Sequence, residues 1–97
     1  MDPIDKLQTQ ITELLKARDF LLNQTPSDMV AVASITEKII DLTRRLTALV
    51  ASTGPIRALT PGEVAALQDA VRALAIAVQR SAAASHIVEA ATKLANA

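Results

Sequence analysis

The sequence predicts an all-α fold, and three observations support that prediction. The chain has 97 residues, of which 51% are apolar, with one aromatic residue, Phe20, and only two glycines. Apolar residues recur at helical spacing through three long segments. Each segment follows a capping residue, a proline, any residue and a carboxylate, which is typical of a helix start. These starts are Asp2-Pro3-Ile4-Asp5, Thr25-Pro26-Ser27-Asp28 and Thr60-Pro61-Gly62-Glu63.

The length predicts one helical domain that spans residues 1–97. We expect a three-helix bundle in which an antiparallel hairpin is followed by a long, alanine-rich third helix. The expected bounds are about 3–23 for helix 1, 26–52 for helix 2, 53–60 for a linker and 61–95 for helix 3.

Helix 1 is predicted from a single apolar seam. Arg18 occupies one seam position, where its aliphatic stem can lie along apolar surface while the charged end reaches water. The connection to helix 2 is only two or three residues long, which favours an antiparallel hairpin. The seam residues are Ile4, Leu7, Ile11, Leu14 and Leu21.

Helix 2 carries two apolar stripes, so it is expected to have two neighbours and to lie at the centre of the bundle or against another subunit. The exposed Asp41 is placed to form ion pairs with Arg44 and Arg45. The first stripe is Val32, Ile35, Ile39, Leu42, Leu46 and Leu49, and the second is Thr36, Ile40, Thr43, Thr47 and Val50.

A stop signal follows helix 2. Thr53-Gly54-Pro55 is expected to end the helix, with Gly54 in the left-handed conformation and Pro55 preventing continuation. Ile56 and Leu59 in the linker are expected to pack back onto the bundle.

Helix 3 combines an apolar seam with a ladder of alanines that would let another helix approach closely. The seam is interrupted at Arg80 and Ser81. Either the helix continues through Ala82 to Ala84, as the high helix propensity of alanine favours, or a break near Ser81–Ser85 creates a fourth helix capped by Ser85. The seam is Val64, Leu67, Val71, Leu74 and Val78, and the ladder is Ala66, Ala70, Ala73 and Ala77.

The sequence offers little for catalysis or for metal binding. His86 is the only histidine and no cysteine is present. Ser85 and His86 are adjacent and do not face each other on a helix. His86 and Glu89 form one isolated pair, whereas metal sites in helical bundles use several ligands from facing helices. We therefore expect no enzyme activity, no metal and no cofactor.

Charge and hydropathy restrict the partners. The net charge is zero, which argues against nucleic acid. The most apolar stretch, from Val64 to Val78, is interrupted by charged residues, so we expect no membrane span. The N-terminus lacks the basic and apolar regions of a signal peptide, and we expect a cytoplasmic protein.

The mean hydropathy is +0.30, which is high for a small chain with a large surface-to-volume ratio. Some apolar surface is therefore expected to be buried between chains. The preferred hypothesis is a structural or scaffolding protein that self-assembles into a homo-oligomer, either alone or as a subunit of a larger assembly. The alternatives are a helical adaptor or small chaperone that binds a partner helix, and an amphipathic protein on a lipid surface. The interface candidates are Ile40, Val50, Ala66, Ala70, Ala73, Ala77, Ile87, Ala91 and Leu94.

Overall fold

A computed structural model describes residues 1–52 and 54–97. The described chain is all-α and contains four helices, without strands. They are α1 (Pro3–Leu22), α2 (Met29–Ala51), α3 (Pro61–Gln79) and α4 (Ala84–Ala95). The all-α prediction is confirmed. The preferred three-helix arrangement is wrong because the segment expected as helix 3 forms two helices, and the alternative of four helices with a break near Ser81–Ser85 is confirmed.

The first and third predicted helix starts are present. The Asp2 side chain accepts a hydrogen bond from the backbone N–H of Asp5, at 2.8 Å. Thr60 and Glu63 form a reciprocal capping box at the start of α3. The hydrogen bonds that Glu63 accepts from Thr60, reinforced by Arg57, lower the pKa of the Glu63 carboxyl below its usual value.

The second helix starts later than predicted. Asp28 is its N-cap and accepts from the backbone N–H of Ala31, at 3.0 Å. Thr25 and Pro26 belong to the preceding loop instead, where the peptide bond between them is cis. The hydroxyl of Ser27 donates to the carbonyl oxygens of Leu22 and Gln24, both at 2.9 Å, and closes the loop back onto the end of α1.

The third segment turns at Ser81 and does not continue as one helix. Ser81 is left-handed, with a φ of 53°. Its N–H donates to the carbonyl of Val78, and the N–H of Ala82 donates to the carbonyl of Ala77, both at 3.0 Å. These two bonds form a Schellman motif, which ends a helix and satisfies its last carbonyls. A serine occupies the position that glycine usually fills, so no glycine marked the break.

The cap of the fourth helix is not Ser85, as the sequence analysis had suggested. The N-cap is Ala83, which supplies no side-chain hydrogen bond, and Ser85 lies inside the helix. The N–H of His86 and the N–H of Ile87 donate to the Ala83 carbonyl, at 2.9 and 3.2 Å. The start of α4 is therefore fixed by the turn and by packing of the helix, not by a polar side chain.

The linker between α2 and α3 crosses the end of the bundle beside the N-terminus. Ser52 is the C-cap of α2 and is extended. Thr53, part of the predicted stop, lies outside the described residues. Gly54 does not adopt the predicted left-handed conformation. The N–H of Leu59 donates to the Met1 carbonyl at 3.0 Å, which places the start of α3 next to the start of α1.

The helices pack around one core. Both α1 and α4 contact all the other helices, whereas α2 and α3 do not contact each other in the described chain. Thus α2 and α3 occupy opposite corners, with α1 and α4 between them. The fully buried large apolar side chains come from all four helices: Leu14, Leu21, Ile35, Leu42, Leu67, Leu74, Ile87 and Leu94.

A buried glutamine joins the first and last helices. Gln10 is buried, and its Nε2 donates to the carbonyl oxygens of Leu94 and Ala95, at 2.9 and 3.4 Å. These carbonyls belong to the last turn of α4, which lacks the donors of a following turn; the Leu94 carbonyl also accepts from the N–H of Ala97, at 3.2 Å. Gln10 lies outside the predicted seam of helix 1, and the pattern of apolar residues did not identify it.

Candidate interaction surface

The second stripe of α2 lies on the surface of the bundle. The first stripe supplies the buried Val32, Ile35, Ile39 and Leu42. In the second stripe, Ile40 is 46% exposed and Val50 is 62% exposed. The α2 helix thus has one apolar face in the core and a second one that the described chain leaves uncovered.

The hydroxyl groups of the threonines in this stripe already have hydrogen-bond acceptors within the helix. The hydroxyls of Thr36, Thr43 and Thr47 each donate to the carbonyl oxygen four residues earlier, at 2.8, 2.7 and 2.9 Å. Such bonds within a helix satisfy the hydroxyl donor locally. Another apolar surface could therefore cover these side chains without leaving a buried donor unpaired, which would cost about 1–3 kcal/mol.

The stripe extends to the start of α2. Ala33 and Met29 continue the alternating three- and four-residue spacing, and both are exposed. We call this set the α2 stripe: Met29, Ala33, Thr36, Ile40, Thr43, Thr47 and Val50.

Exposed large apolar side chains are concentrated in the hairpin of α1 and α2. Of the eight in the described chain, five lie there, and Val30 beside the α2 stripe is the most exposed, at 82%. Four of these five side chains lie on α2, and three of the four belong to the α2 stripe. The five are Leu22, Met29, Val30, Ile40 and Val50.

Charged residues border the α2 stripe on its solvent side. Asp41 pairs with Arg45 at 2.8 Å, as predicted for one of the two arginines. Arg44 does not join that pair. Within the described residues, both Glu37 and Arg44 are exposed and have no ion-pair partner.

The alanine ladder of α3 is divided between the core and the surface. Ala70 and Ala77 are half-buried and pack against the core, whereas Ala66 and Ala73 are exposed. Ala73 and Ala77 line a groove with α4 residues that include His86 and Ala90. Two of the four ladder residues, Ala70 and Ala77, are thus used for packing within the chain.

The last three interface candidates lie in the core. Ile87, Ala91 and Leu94 are fully buried by the other helices of the chain. Their predicted role was docking across subunits from an overhanging helix. Because α4 folds back against α1, α2 and α3, no overhang forms, and these side chains are not on the surface.

The polar residues considered for chemistry all lie on α4, and His86 and Glu89 line one groove between α3 and α4. His86 and Ser85 are both exposed on α4. Glu89 pairs with Lys93, at 3.9 Å, on the same helix. Across residues 1–52 and 54–97, no three side chains of His, Asp or Glu are grouped closely enough to hold a metal ion.

None of the four described helices combines the length and apolar character needed to cross a membrane.

Comparisons with protein-family models, with curated proteins and with solved structures found no significant match to this chain.

Proposed function

We propose that this protein is a non-enzymatic, self-assembling helical protein, and that the α2 stripe is the surface through which its copies associate. The observation that carries the proposal is the exposure of Ile40 and Val50 on a helix whose adjacent face already fills the core. Full burial of such a side chain contributes about 1.5–3 kcal/mol, and association would supply the part of this that corresponds to the surface still exposed, 46% for Ile40 and 62% for Val50. The role of the protein would be structural, and its function would be to form this interface.

Two further properties favour association between copies. The net charge is zero, so long-range repulsion does not keep the chains apart. The threonine hydroxyls of the α2 stripe are already bonded within the helix. A second apolar helix face could therefore cover the stripe at little cost in desolvation.

The α2 stripe is a better candidate than the α3 ladder. The ladder contributes Ala70 and Ala77 to packing within the chain. The remaining exposed alanines are small and offer limited apolar area. Since α2 and α3 occupy opposite corners of the bundle, one compact interface does not include both surfaces.

Ile40→Glu tests the proposal. We expect the wild-type chain, at 10.2 kDa per copy, to sediment as an oligomer and Ile40→Glu to sediment as a monomer, because the substitution places a charge in the centre of the interface. Sedimentation velocity with interference detection suits this chain, which has no Trp or Tyr.

Ile76→Glu is the matched control. Ile76 is exposed to a similar extent, at 39%, but lies on α3. We expect this variant to keep the wild-type mass, and circular dichroism should show that both variants remain folded. A wild-type chain that is monomeric at every concentration, or an oligomer that only Ile76→Glu disrupts, would overturn the proposal.

A further inference from the structure

We propose that the partner of the α2 stripe is the α2 stripe of a second copy, packed antiparallel across a two-fold axis near the middle of the helix, with Glu37 of each copy against Arg44 of the other. This inference rests on the proposed function and adds the partner, its direction and its register.

The spacing of the α2 stripe is that of a coiled-coil seam. Its seven residues alternate at four- and three-residue intervals from Met29 to Val50, which keeps one face toward a neighbouring helix over three heptads. The helix is 23 residues long, or about 34 Å. Antiparallel pairing about a central axis matches Ile40 with Thr43, Thr36 with Thr47, and Ala33 with Val50 of the second copy.

Charge complementarity sets the direction. Glu37 and Arg44 are one heptad apart and lie on the same solvent side of the stripe. In an antiparallel pair, equivalent flanking positions of the two helices face each other, so Glu37 of one copy meets Arg44 of the other, twice per dimer. Neither residue has an ion-pair partner within the described part of its own chain.

A parallel pair would not use these charges. The other flank of the stripe consists of Val32, Ile39 and Leu46, which belong to the stripe that packs inside the bundle. In a parallel pair this flank would face Glu37 and Arg44 of the second copy. The charges would then have no opposite charge to meet.

The same flank also fixes the register. The proposed pairing places the highly exposed Val30 against Ala51 of the second copy, so apolar side chains meet at both ends and opposite charges meet between them. Sliding the helices by one heptad in either direction would bring Arg44 against Arg44 or Glu37 against Glu37. Like charges in those positions disfavour the shifted registers.

A charge-swap series tests the pairing. We expect Glu37→Arg and Arg44→Glu each to weaken dimerisation about tenfold, since each turns two attractive contacts into repulsive ones. The double variant Glu37→Arg/Arg44→Glu should regain most of the wild-type affinity. High salt should reduce the difference between single variants and wild type. Dimerisation is measured by sedimentation over a wide range of protein concentration.

Asp69→Arg is the matched control for the first swap. It makes the same change in net charge at an exposed position on α3, away from the α2 stripe. We expect it to leave dimerisation unchanged. An equal weakening by Asp69→Arg, or a double variant that is no better than the single ones, would contradict the proposed pairing.

Cross-linking tests the direction independently. The chain has no cysteine, so Ala33→Cys and Val50→Cys can each be introduced without background. With a short bismaleimide, the antiparallel pair should link the two variants when they are mixed and give little product from either alone. Product mainly from each variant alone would show a parallel pair.

The results separate the two proposals. If the wild-type chain does not associate, the proposed function fails and the pairing fails with it. If it associates and Ile40→Glu prevents this, while the charge swaps have no effect and cross-linking is not antiparallel, the proposed function stands and only the inferred pairing is overturned.

Discussion

At the scale of single residues, polar side chains determine where three of the four helices begin. Asp2, Asp28 and Thr60 each accept a hydrogen bond from the backbone N–H three residues later. Such a cap satisfies one of the donors that the first turn leaves free. The helix without this cap, α4, begins beside Ala83 and depends on its packing.

The start of α2 gives a residue-scale prediction. We expect Asp28→Ala to lower the free energy of unfolding by about 1 kcal/mol, because it removes the N-cap. Thr25→Ala should change it by less than about 0.5 kcal/mol, because Thr25 lies in the loop and is exposed. Urea unfolding followed by circular dichroism measures both. A larger effect of Thr25→Ala than of Asp28→Ala would show that the helix starts at Thr25, as the sequence pattern suggested.

The cap predictions succeeded where the local sequence offered a single cap and failed where it offered two. Around Asp2 and Thr60 there is one suitable cap before a proline, and the structure uses it. Around Pro26 there are two candidates three residues apart, Thr25 and Asp28. The choice follows from the bonds of Ser27 to the end of α1, which sequence spacing does not reveal. Gln10 was missed for a similar reason, since its partners lie at the other end of the chain.

At the scale of elements, the turn between α3 and α4 shows why helix propensity misled the prediction. Alanine is favoured over other residues by less than about 1 kcal/mol per position. Folding α4 back buries Ile87 and Leu94 completely, and each such burial contributes about 1.5–3 kcal/mol. The packing energy therefore exceeds the preference for a continuous helix and the strain at Ser81.

Ser81 supplies the element-scale prediction. Its left-handed conformation, with a φ of 53°, strains any residue that carries a Cβ, and glycine adopts it freely. We expect Ser81→Gly to raise the free energy of unfolding by about 0.5–1 kcal/mol. This is the net value, because relief of the backbone strain is partly offset by the greater conformational entropy that glycine gives the unfolded chain. Ser81→Val should lower it, because a β-branched side chain fits this conformation poorly.

Thermal and urea unfolding measure the two Ser81 variants against wild type. If valine is tolerated as well as glycine, the chain does not need the left-handed turn, and the helix can continue through that position as the sequence suggested.

At the scale of the whole molecule, the fold decides which apolar faces remain outside. A helical pattern shows that a face is apolar, and it does not show whether the same chain covers it. The pattern identified both stripes of α2, and the exposed one includes Ile40 and Val50. It placed Ile87 and Leu94 at an interface between chains, whereas α4 buries them inside the bundle.

The location of Leu94 predicts how the effect of its truncation on stability depends on protein concentration. We expect Leu94→Ala to lower the free energy of unfolding by about 2–5 kcal/mol, because Leu94 is fully buried and truncation leaves a cavity. Lys93→Ala on the exposed face should change it by less than about 0.5 kcal/mol.

Burial within one chain and burial between chains differ in their response to mass action. If Leu94 packs inside the chain, the loss in Leu94→Ala persists when the proposed dimerisation is removed by Ile40→Glu. It is then the same at every protein concentration. If Leu94 instead docks across subunits, its truncation costs nothing in the Ile40→Glu background and matters more as concentration rises. Thermal unfolding of the single and double variants over a range of concentrations distinguishes the two, and we expect the concentration-independent loss.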